Sequence, residues 1–455
     1  MTAKLRAVAT VALLAAAGCG GAATQQTTPM LPTAAVAQPM AVPVGNYIKH
    51  VVIIVQENRS FDNVFAGWPG SDSTMSGKAT TIVNGVPKTV TIPLKAIPFL
   101  QKDIGHLWRN ALAGWDNGKM DGFENNTSHA KPTGTYPYSY LRHDVIRPYR
   151  AMASQYVLAD HMFPAMFGPS FTAHLTLIAG TTNEKPNKAV VDLPNGTPWG
   201  CDAPLGTNTP TLNEQRVITP GSGGFPCFTQ FTTMADTLDE KGVSWKYYAP
   251  NILLYPAWSA FDAIKSVRYG PDWAKVQTPE WQVLLDAKNG TLPSMSWVTP
   301  DAQDSDHPGE GSDTGPSWVA AVVNSIGKSQ YWDSTAIFVV WDDWGGWYDN
   351  VPPPQLDFKG LGIRVPCIVI SPYAKKGYVS HVRYEFGSML HFSEQVFGLR
   401  ALGPASAGYT DLRANTMLDA FDFTQKPRAY VPIPAKYPMS YFENHPQSMR
   451  APDND

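Results

Sequence analysis

The chain has 455 residues, of which 43% are hydrophobic and 16% are charged, and its formal net charge is -3. This composition is typical of a globular protein with one large core or two moderate ones. A net charge so close to zero supplies no basic surface field, so nucleic acid and anionic membrane surfaces are not expected partners. The 40 prolines, 37 glycines, 14 tryptophans and 19 tyrosines predict long but ordered loops, because aromatic side chains at this density need burial.

The N-terminal residues have the order of a secretory signal. Lys4 and Arg6 precede the apolar run AVATVALLAAA, and Cys19 follows it closely. We therefore predict a signal peptide over residues 1–19 and a protein that is secreted, periplasmic or exposed at the outer surface. The segment AAAGC also has the form of a bacterial lipoprotein signal, with Ala16 where leucine is usual. Lipid attachment at Cys19 and cleavage by an ordinary signal peptidase both stay open.

A change of composition separates this signal from the rest of the chain. Residues 20–45 are small, polar and rich in proline, which predicts a flexible tether. Residues 46–455 are expected to form a catalytic domain with long loop insertions. No later segment has the roughly 18 uninterrupted apolar residues of a membrane span, so an N-terminal lipid anchor is the one membrane attachment expected. The sequence does not indicate an oligomeric state.

Three cysteines follow the signal. Cys201 and Cys227 flank a loop rich in glycine, proline and threonine, and we predict that an oxidising compartment lets them form a disulfide. Cys367 lies in the apolar segment RVPCIVISPY. This position predicts an inert core residue rather than a nucleophile.

Apolar strand-like segments alternate with helical patterns, which predicts an α/β fold with a mostly parallel central sheet between two layers of helices. The predicted strands, in chain order, are 51–55, 156–159, 243–248, 294–298, 336–341 and 367–371. The predicted helices are 229–241, 317–326 and 388–397. A glycine, the residue type that commonly ends helices, follows each of them directly.

Polar and acidic residues follow three of these strands, and carboxyl ends of parallel strands meet at one edge of a sheet. The residues are Glu57 and Asn58 after the first strand, Asp301, Asp304, Asp306 and His307 after the fourth, and Asp342 and Asp343 after the fifth. Carboxylates that converge repel one another unless a cation lies between them. The pattern therefore predicts a divalent metal ion. Oxygen ligands favour Mg²⁺, Ca²⁺ or Mn²⁺, whereas a histidine or phosphate ligand would admit Zn²⁺ or iron.

Two further segments carry candidate catalytic features. Residues 166–175, MFGPSFTAHL, place Ser170 and Thr172 after a Gly-Pro turn at an apparent helix start, where N–H groups favour an anion. Such a hydroxyl is either a nucleophile whose pKa a metal lowers or only a helix cap. Residues 341–354, WDDWGGWYDNVPPP, place two glycines after the acidic pair, and a bend there lets both acids face one site.

Seven segments together carry a resemblance to a known family. They are ENRSFDNVF, NGKMDGF, FGPSFTAH, DSDHP, WDDWGGWYDNVPPP, RVPCIVISPYAKKGYV and SMLHFSEQVFGL. In this combination, from about residue 47 to 400, the chain resembles the bacterial phosphoesterase family of secreted phospholipases C and a related acid phosphatase. The resemblance implies an alkaline-phosphatase-like α/β/α fold. It also implies a metal-dependent hydrolase that transfers a phosphoryl group from a phosphate ester, such as a phospholipid, to an enzyme hydroxyl.

The resemblance also implies roles for individual residues. Ser170 matches the family's nucleophile, and His106 and His307 match histidines that line the phosphate pocket. The implied metal ligands are Glu57, Asn58, Ser170, Asp342 and Asp343. Many members have histidine where this chain has Trp344 and Asn350, and Asp-His-Thr-Ser where it has EFGS at 385–388. Phosphate contacts or leaving-group protonation from those histidines are therefore not implied here.

Two other functions stay open. A sulfatase can use the same fold, but sulfatases of this superfamily usually need Cys or Ser in a C/S-x-P-x-R context, which SFTAHL lacks. A catalytically silent surface lipoprotein could bind glycan or lipid through its many Trp and Tyr side chains. The presence of Glu57, Ser170 and Asp342 argues against this second alternative.

Overall fold

The computed structural model describes residues 43–83, 85–251, 259–310 and 312–448. The predicted signal peptide and the predicted tether up to residue 42 lie outside the described residues. Val44, which falls within the range predicted as tether, begins a short 3-10 helix and is 3% exposed. The packed part of the chain therefore already includes Val44, two residues before the predicted domain start.

A nine-stranded sheet forms the centre of the protein. Its strands, in chain order, are β1 His50–Gln56, β2 Val157–Phe163, β3 Trp245–Tyr248, β4 Val276–Gln277, β5 Met295–Val298, β6 Thr335–Trp341, β7 Val365–Ile370, β8 Tyr378–Ser380 and β9 Tyr384–Glu385. Across the sheet the order is β4-β3-β5-β1-β6-β7-β2-β8, and β9 also pairs with β2. Only β7 is antiparallel to its neighbours in this sheet, which confirms the mostly parallel arrangement. Cys367 lies in β7 and is fully buried, as predicted.

Ten α-helices occur in the described part of the chain. They are α1 Phe61–Phe65, α2 Trp108–Trp115, α3 Arg147–Gln155, α4 Ser170–Ala179, α5 Met234–Glu240, α6 Lys265–Arg268, α7 Gln282–Asn289, α8 Gly315–Gly327, α9 Phe386–Phe397 and α10 Met439–Asn444. Seven of these helices pack in two sets, one formed by α3, α7, α8 and α10 and the other by α4, α5 and α9. The two sets and the sheet form a three-layer α/β/α fold. Among the described residues, no helix combines the length and the apolar character needed to cross a bilayer.

The prediction of a helix over 229–241 is wrong at its start. Thr233 caps α5, because its hydroxyl accepts a hydrogen bond from Asp236 N while the Asp236 carboxylate accepts one from Thr233 N. This reciprocal cap fixes the first helical residue at Met234. The other two predicted helices, α8 and α9, each begin two residues earlier than expected.

Short strands outside the central sheet lie in the loop insertions. They are Ser76–Val83 with Val86–Pro93, Lys95–Ile97 with Ser139–Leu141, Thr127–Ser128 with Lys131–Pro132, and the set Asn183–Lys185, Lys188–Val190, Thr211–Asn213 and Ile218–Thr219. They add pairing to connections that would otherwise be long and irregular.

A disulfide joins Cys201 and Cys227, which confirms the predicted bridge. The rings of Trp199 and Phe228, just outside the bridged loop, pack against Phe171, with centroids 5.6 and 6.4 Å apart. Phe171 is the second residue of α4. The disulfide loop therefore supports the beginning of α4.

The central pair of strands positions the functional site. β1 and β6 are parallel, with Val51 opposite Ala336 and Gln56 opposite Trp341. Their apolar residues are consecutive rather than alternating, because helices cover both faces of the sheet. This register puts Glu57 beside the residue that follows Trp341, at the carboxyl edge of the sheet.

Candidate active site

Four polar side chains converge where β1 and β6 end. Glu57 and Asn58 follow β1, Asp342 and Asp343 follow β6, and all four are fully buried. Asn58 N donates to Asp342 Oδ1 at 3.0 Å, and Arg59 N donates to the Asp343 carbonyl at 3.0 Å. These bonds continue the strand pairing into the loops and hold the four side chains together. We call this group the acidic cluster.

Both chain segments turn sharply at the acidic cluster. Asn58 has a φ of 59°, and Gly345 and Gly346 have φ values of 58° and 77°. Asparagine tolerates this left-handed conformation better than most residues. A Cβ at Gly345 would lie 2.1 Å from the Asn58 carbonyl oxygen, so only glycine fits there. The bend predicted from the two glycines is confirmed.

Ser170, the first residue of α4, faces the acidic cluster. Its Oγ lies 3.1 Å from Glu57 Oε2, 3.4 Å from Asp343 Oδ2 and 3.5 Å from Asn58 Oδ1. The other candidate hydroxyl, that of Thr172, is buried and donates to the Pro169 carbonyl at 3.1 Å. Of these two hydroxyls, the structure brings that of Ser170 to the cluster.

His174 is a site residue that the sequence analysis did not select. Its Nε2 lies 2.8 Å from Glu57 Oε1 and 3.7 Å from Asp342 Oδ2. Ligand atoms of these three residues lie within 4.8 Å of one another, the only such His/Cys/Asp/Glu group found in the described part of the chain. The available signal was the spacing of four between Ser170 and His174, which puts both on one face of a helix.

The electrostatics of the acidic cluster fit a bound cation. Burial, followed by the charge of Asp342, raises the pKa of Glu57 well above its ordinary value. Burial lowers the pKa of His174, against the opposing effect of Asp342. Among the described residues, Asp342 Oδ2 is buried and has no hydrogen-bond partner. A divalent ion would satisfy this oxygen and neutralise the carboxylates, so the residues fit the predicted metal.

His106 and His307 lie on either side of Asn58. Their Nε2 atoms are 3.1 and 2.9 Å from Asn58 Nδ2. His106 Nδ1 is 2.8 Å from the Ile104 carbonyl, and His307 Nδ1 is 2.6 Å from the Pro308 carbonyl. The residues assigned catalytic or ligand roles from the sequence thus lie together in the structure; they are Glu57, Asn58, His106, Ser170, His307, Asp342 and Asp343. Their catalytic and ligand roles stay predictions.

The acidic residues that follow β5 point elsewhere. Asp306 Oδ2 accepts hydrogen bonds from the Tyr149 hydroxyl at 2.7 Å and Trp341 Nε1 at 3.1 Å. Asp301 Oδ1 caps a 3-10 turn by accepting from Asp304 N at 3.0 Å. The expected convergence of carboxylates from three strands is therefore wrong for this segment, which contributes His307 instead.

Arg59, just after the end of β1, binds the segment that follows β5. Its guanidinium is fully buried and donates twice to the Asp306 carbonyl, at 3.0 and 2.8 Å. The rings of Phe99 and Trp347 lie 5.2 and 5.4 Å from the guanidinium carbon. This contact fixes the residue next to His307 and so helps to place the imidazole beside Asn58.

The positions that depart from the family pattern make structural contacts. Trp344 packs edge-on against Phe123, with ring centroids 5.6 Å apart. Asn350 Oδ1 accepts from Arg364 at 2.8 Å, and the Glu385 carboxylate pairs with Arg413 at 2.8 Å.

Comparisons with known proteins place the chain in a family. A profile of the Phosphoesterase family matches residues 48–400, and the chain belongs to this family. It is 24% identical over 504 residues to "Non-hemolytic phospholipase C" of Burkholderia pseudomallei (strain K96243), covering 92% of this chain and 65% of that protein. It is 26% identical over 446 residues to "Phospholipase C A" of Mycobacterium tuberculosis (strain CDC 1551 / Oshkosh), covering 85% of this chain and 79% of that one.

Among solved structures, the chain is similar to a protein in the alkaline phosphatase superfamily from Vibrio parahaemolyticus. The TM-score is 0.35 at 15% identity, and the match covers 75% of this chain and 72% of that one. Of the Burkholderia pseudomallei phospholipase C described above, the chain spans 65% of the length, which is less than two thirds.

Proposed function

We propose that the protein is a metal-dependent hydrolase of phosphoric esters that uses Ser170 as its nucleophile. The observation that carries this proposal is the position of the Ser170 hydroxyl, which lies within 3.5 Å of an oxygen on each of three cluster residues. Membership of the Phosphoesterase family and the names of the two bacterial relatives support phosphoric esters as the substrate class.

The proposed metal ligands are Glu57, Asn58, Ser170, Asp342 and Asp343. When bound, a divalent ion would supply positive charge that favours an ionised hydroxyl and stabilises a phosphoryl group. The oxygen ligands favour Mg²⁺, Ca²⁺ or Mn²⁺, and the nearby His174 nitrogen would admit Zn²⁺ or iron. Asp342 Oδ2 has no hydrogen-bond partner within the described part of the chain, which supports a position for the ion inside the cluster.

In the proposed reaction, Ser170 Oγ attacks the phosphorus in line with the leaving oxygen. The Oγ–P bond forms as the ester P–O bond breaks, and the leaving oxygen takes up a proton. Water then hydrolyses the phosphoserine, which releases phosphate or a phosphomonoester and restores Ser170. The N-terminal N–H groups of α4 favour the negative charge that the reaction brings to Ser170. Contacts of His106 with the phosphoryl group and of His307 with the leaving oxygen stay predictions.

Two substrate types fit this chemistry. The relatives' names favour a phospholipase C that cleaves phosphodiesters, and the alternative is an acid phosphatase that cleaves monoesters. Hydrolysis of p-nitrophenylphosphorylcholine but not of p-nitrophenyl phosphate would establish the first type, and the reverse would establish the second. We further propose that the protein acts outside the cytoplasm, consistent with the predicted signal.

Substitution of Ser170 tests the proposal directly. Ser170→Ala should keep the fold and most metal binding but lose about three or more orders of magnitude in turnover, as expected when a nucleophile is removed. Asp342→Ala should lose metal and activity together. Wild-type protein that is acid-quenched during turnover should carry an adduct on Ser170, detected by peptide mass spectrometry: a phosphoryl group from p-nitrophenyl phosphate, or a phosphorylcholine group from p-nitrophenylphosphorylcholine. Near-normal turnover by Ser170→Ala, or inactivation by Thr172→Ala instead, would contradict the assignment of the nucleophile.

A further inference from the structure

Large apolar side chains are exposed at a few places on the protein, and half of them lie close to the disulfide loop. In the described part of the chain, five of the ten exposed large apolar residues belong to this loop or to segments that contact it. They are Leu205, Val217, Phe225, Tyr269 and Leu356. We call this set the apolar rim. Single exposed apolar residues are common on proteins, so the meaning of the set depends on where its members lie.

Three members of the apolar rim lie at the disulfide bridge. Leu205 and Phe225 belong to the bridged loop, and Leu205 is fully exposed. Cys227 N donates to the Phe225 carbonyl at 2.7 Å, so this residue is held next to the bridge. The Tyr269 hydroxyl donates to the Cys201 carbonyl at 3.1 Å, which brings a third exposed side chain to the same place.

The other two members are joined through Arg216. Its Nε donates to the Phe358 carbonyl at 2.9 Å, and its Nη2 donates to Gln355 Oε1 at 2.5 Å. Val217 directly follows Arg216, and Leu356 directly follows Gln355. These hydrogen bonds therefore hold the two exposed side chains on neighbouring segments.

Both parts of the apolar rim contact residues that flank Ser170 in the chain. The bridge is connected to Phe171 through the two aromatic rings described above. The Arg216 guanidinium carbon lies 5.7 Å from the Trp115 ring, whose centroid is 5.8 Å from that of Phe167. Phe167 and Phe171 are buried, whereas Ser170 between them is partly exposed. The apolar rim thus belongs to the segments that border the proposed nucleophile.

The charges beside the apolar rim supply no excess of positive charge. Residues 201–227 contain two acidic residues and one basic residue. Asp202 accepts two hydrogen bonds from Arg268, at 3.0 and 3.1 Å, and Arg216 is engaged by the acceptors named above. Anionic lipid attracts surfaces rich in unpaired Lys and Arg, whereas an apolar surface with paired charges suits zwitterionic lipid.

We infer that the apolar rim is a surface that contacts a zwitterionic phospholipid bilayer and brings a phosphoric ester of that bilayer to Ser170. This inference rests on the proposed function, in which Ser170 attacks such an ester. The apolar side chains leave water for the boundary between headgroups and acyl chains, and the polar tip of Tyr269 suits the same boundary. The contact is separate from the predicted lipid attachment at Cys19, and the sequence alone did not predict it.

Two valines provide a matched pair for the test, because Val217 and Val431 are each 55% exposed. Val431 lies near the far end of α8, where Ile433 N donates to Asn324 Oδ1 at 2.9 Å. α8 ends shortly before β6 begins, at the edge of the sheet opposite the acidic cluster. Val431→Asp therefore adds the same charge as Val217→Asp but away from Ser170.

Cosedimentation with phosphatidylcholine vesicles measures the binding. Ser170→Ala protein, purified without the predicted signal, serves as the parent, so that the vesicles stay intact and neither the signal nor a lipid on Cys19 contributes. Val217→Asp and Leu205→Asp should each weaken binding about tenfold or more, whereas Val431→Asp should not. With Ser170 restored, Val217→Asp should hydrolyse the soluble p-nitrophenyl substrate of the wild-type protein at the normal rate but should hydrolyse vesicle phosphatidylcholine more slowly.

The outcomes separate this surface from the proposed function. If Val217→Asp binds vesicles as tightly as Val431→Asp, or if the Ser170→Ala parent does not bind them, the inference is overturned. Binding that requires anionic lipid and disappears at high salt would also overturn it. A dimer that Val217→Asp dissociates would overturn it as well, because the apolar rim would then be a contact between two copies. If the wild-type protein hydrolysed neither p-nitrophenyl substrate while vesicle binding still depended on Val217, the proposed function alone would be wrong.

Discussion

At the scale of single residues, His174 connects the proposed nucleophile helix to the metal ligands. Its Nε2 contacts Glu57 Oε1 at 2.8 Å while Ser170 Oγ contacts Glu57 Oε2 at 3.1 Å. Both oxygens of the Glu57 carboxylate are thus engaged by side chains of α4. His174 can therefore orient Glu57 by a hydrogen bond or bind the metal itself.

We predict that His174→Ala weakens metal binding by about 10–100-fold, because either role stabilises the bound state to this extent. Titration of the metal-stripped protein with Mn²⁺ measures the effect. Thr176→Val is the matched control, since Thr176 lies on the same helix and its hydroxyl donates to the Ala173 carbonyl at 2.8 Å. Equal Mn²⁺ affinity of His174→Ala and the wild-type protein would show that His174 has neither role.

Residues at strand ends were predictable from the strand pattern alone, whereas that pattern could not place the side chains that turns direct. Glu57, Asn58 and the acidic pair directly follow long apolar runs, and the sheet alone brings such positions together. Asp306 follows β5 at a distance of several residues, and the turn after β5 directs its carboxylate to Tyr149. His174 lies one turn after Ser170 in α4, and it was missed because the spacing of four between the two residues was not used.

At the scale of elements, the bend after β6 determines whether the acidic cluster can form. We predict that Gly345→Ala lowers both stability and Mn²⁺ affinity, because its Cβ would lie 2.1 Å from the Asn58 carbonyl oxygen and would displace that loop. Gly398→Ala is the control, since Gly398 has a similar φ of 63° but nothing within 4 Å of the added Cβ.

Both alanine variants should lose about 1–2 kcal/mol from the left-handed conformation alone. Only Gly345→Ala should also lose Mn²⁺ affinity. Thermal unfolding and Mn²⁺ titration together measure the two effects. A Gly345→Ala protein that binds Mn²⁺ as tightly as Gly398→Ala would show that the loops tolerate the added atom.

The disulfide loop is the second element that supports the site. We predict that the double variant Cys201→Ser, Cys227→Ser loses roughly 3 kcal/mol of unfolding free energy, the chain-entropy value for a loop of this order of length. Turnover should also fall, because Trp199 and Phe228 would hold Phe171 less firmly beside Ser170. Urea unfolding and steady-state kinetics measure the two effects. An unchanged turnover in the folded variant would separate the bridge from the site.

At the scale of the whole molecule, the sequence predicted the long strands of the central sheet better than the short ones. All six predicted strands belong to the central sheet, because strands buried on both faces are continuous apolar runs. The short strands β4, β8 and β9 were not predicted, since two or three residues are too few for a pattern. Val44, which the prediction assigns to the tether, is buried, because the Pro-Val-Gly segment that includes it resembles the tether only in composition.

The position of Val44 gives the last prediction. Deletion of residues 1–42 should leave the unfolding midpoint and turnover unchanged. Apart from the predicted signal, that segment has no apolar pattern with which to join the core. Deletion of residues 1–48 should lower the midpoint, since it also removes Val44 and Ile48, which are 3% and 0% exposed. Burial of each such side chain contributes about 1.5–3 kcal/mol. Thermal unfolding of both proteins, purified without the signal, measures the difference. If deletion of residues 1–42 alone abolished cooperative unfolding, the folded domain would require residues before Pro43, which would contradict the prediction.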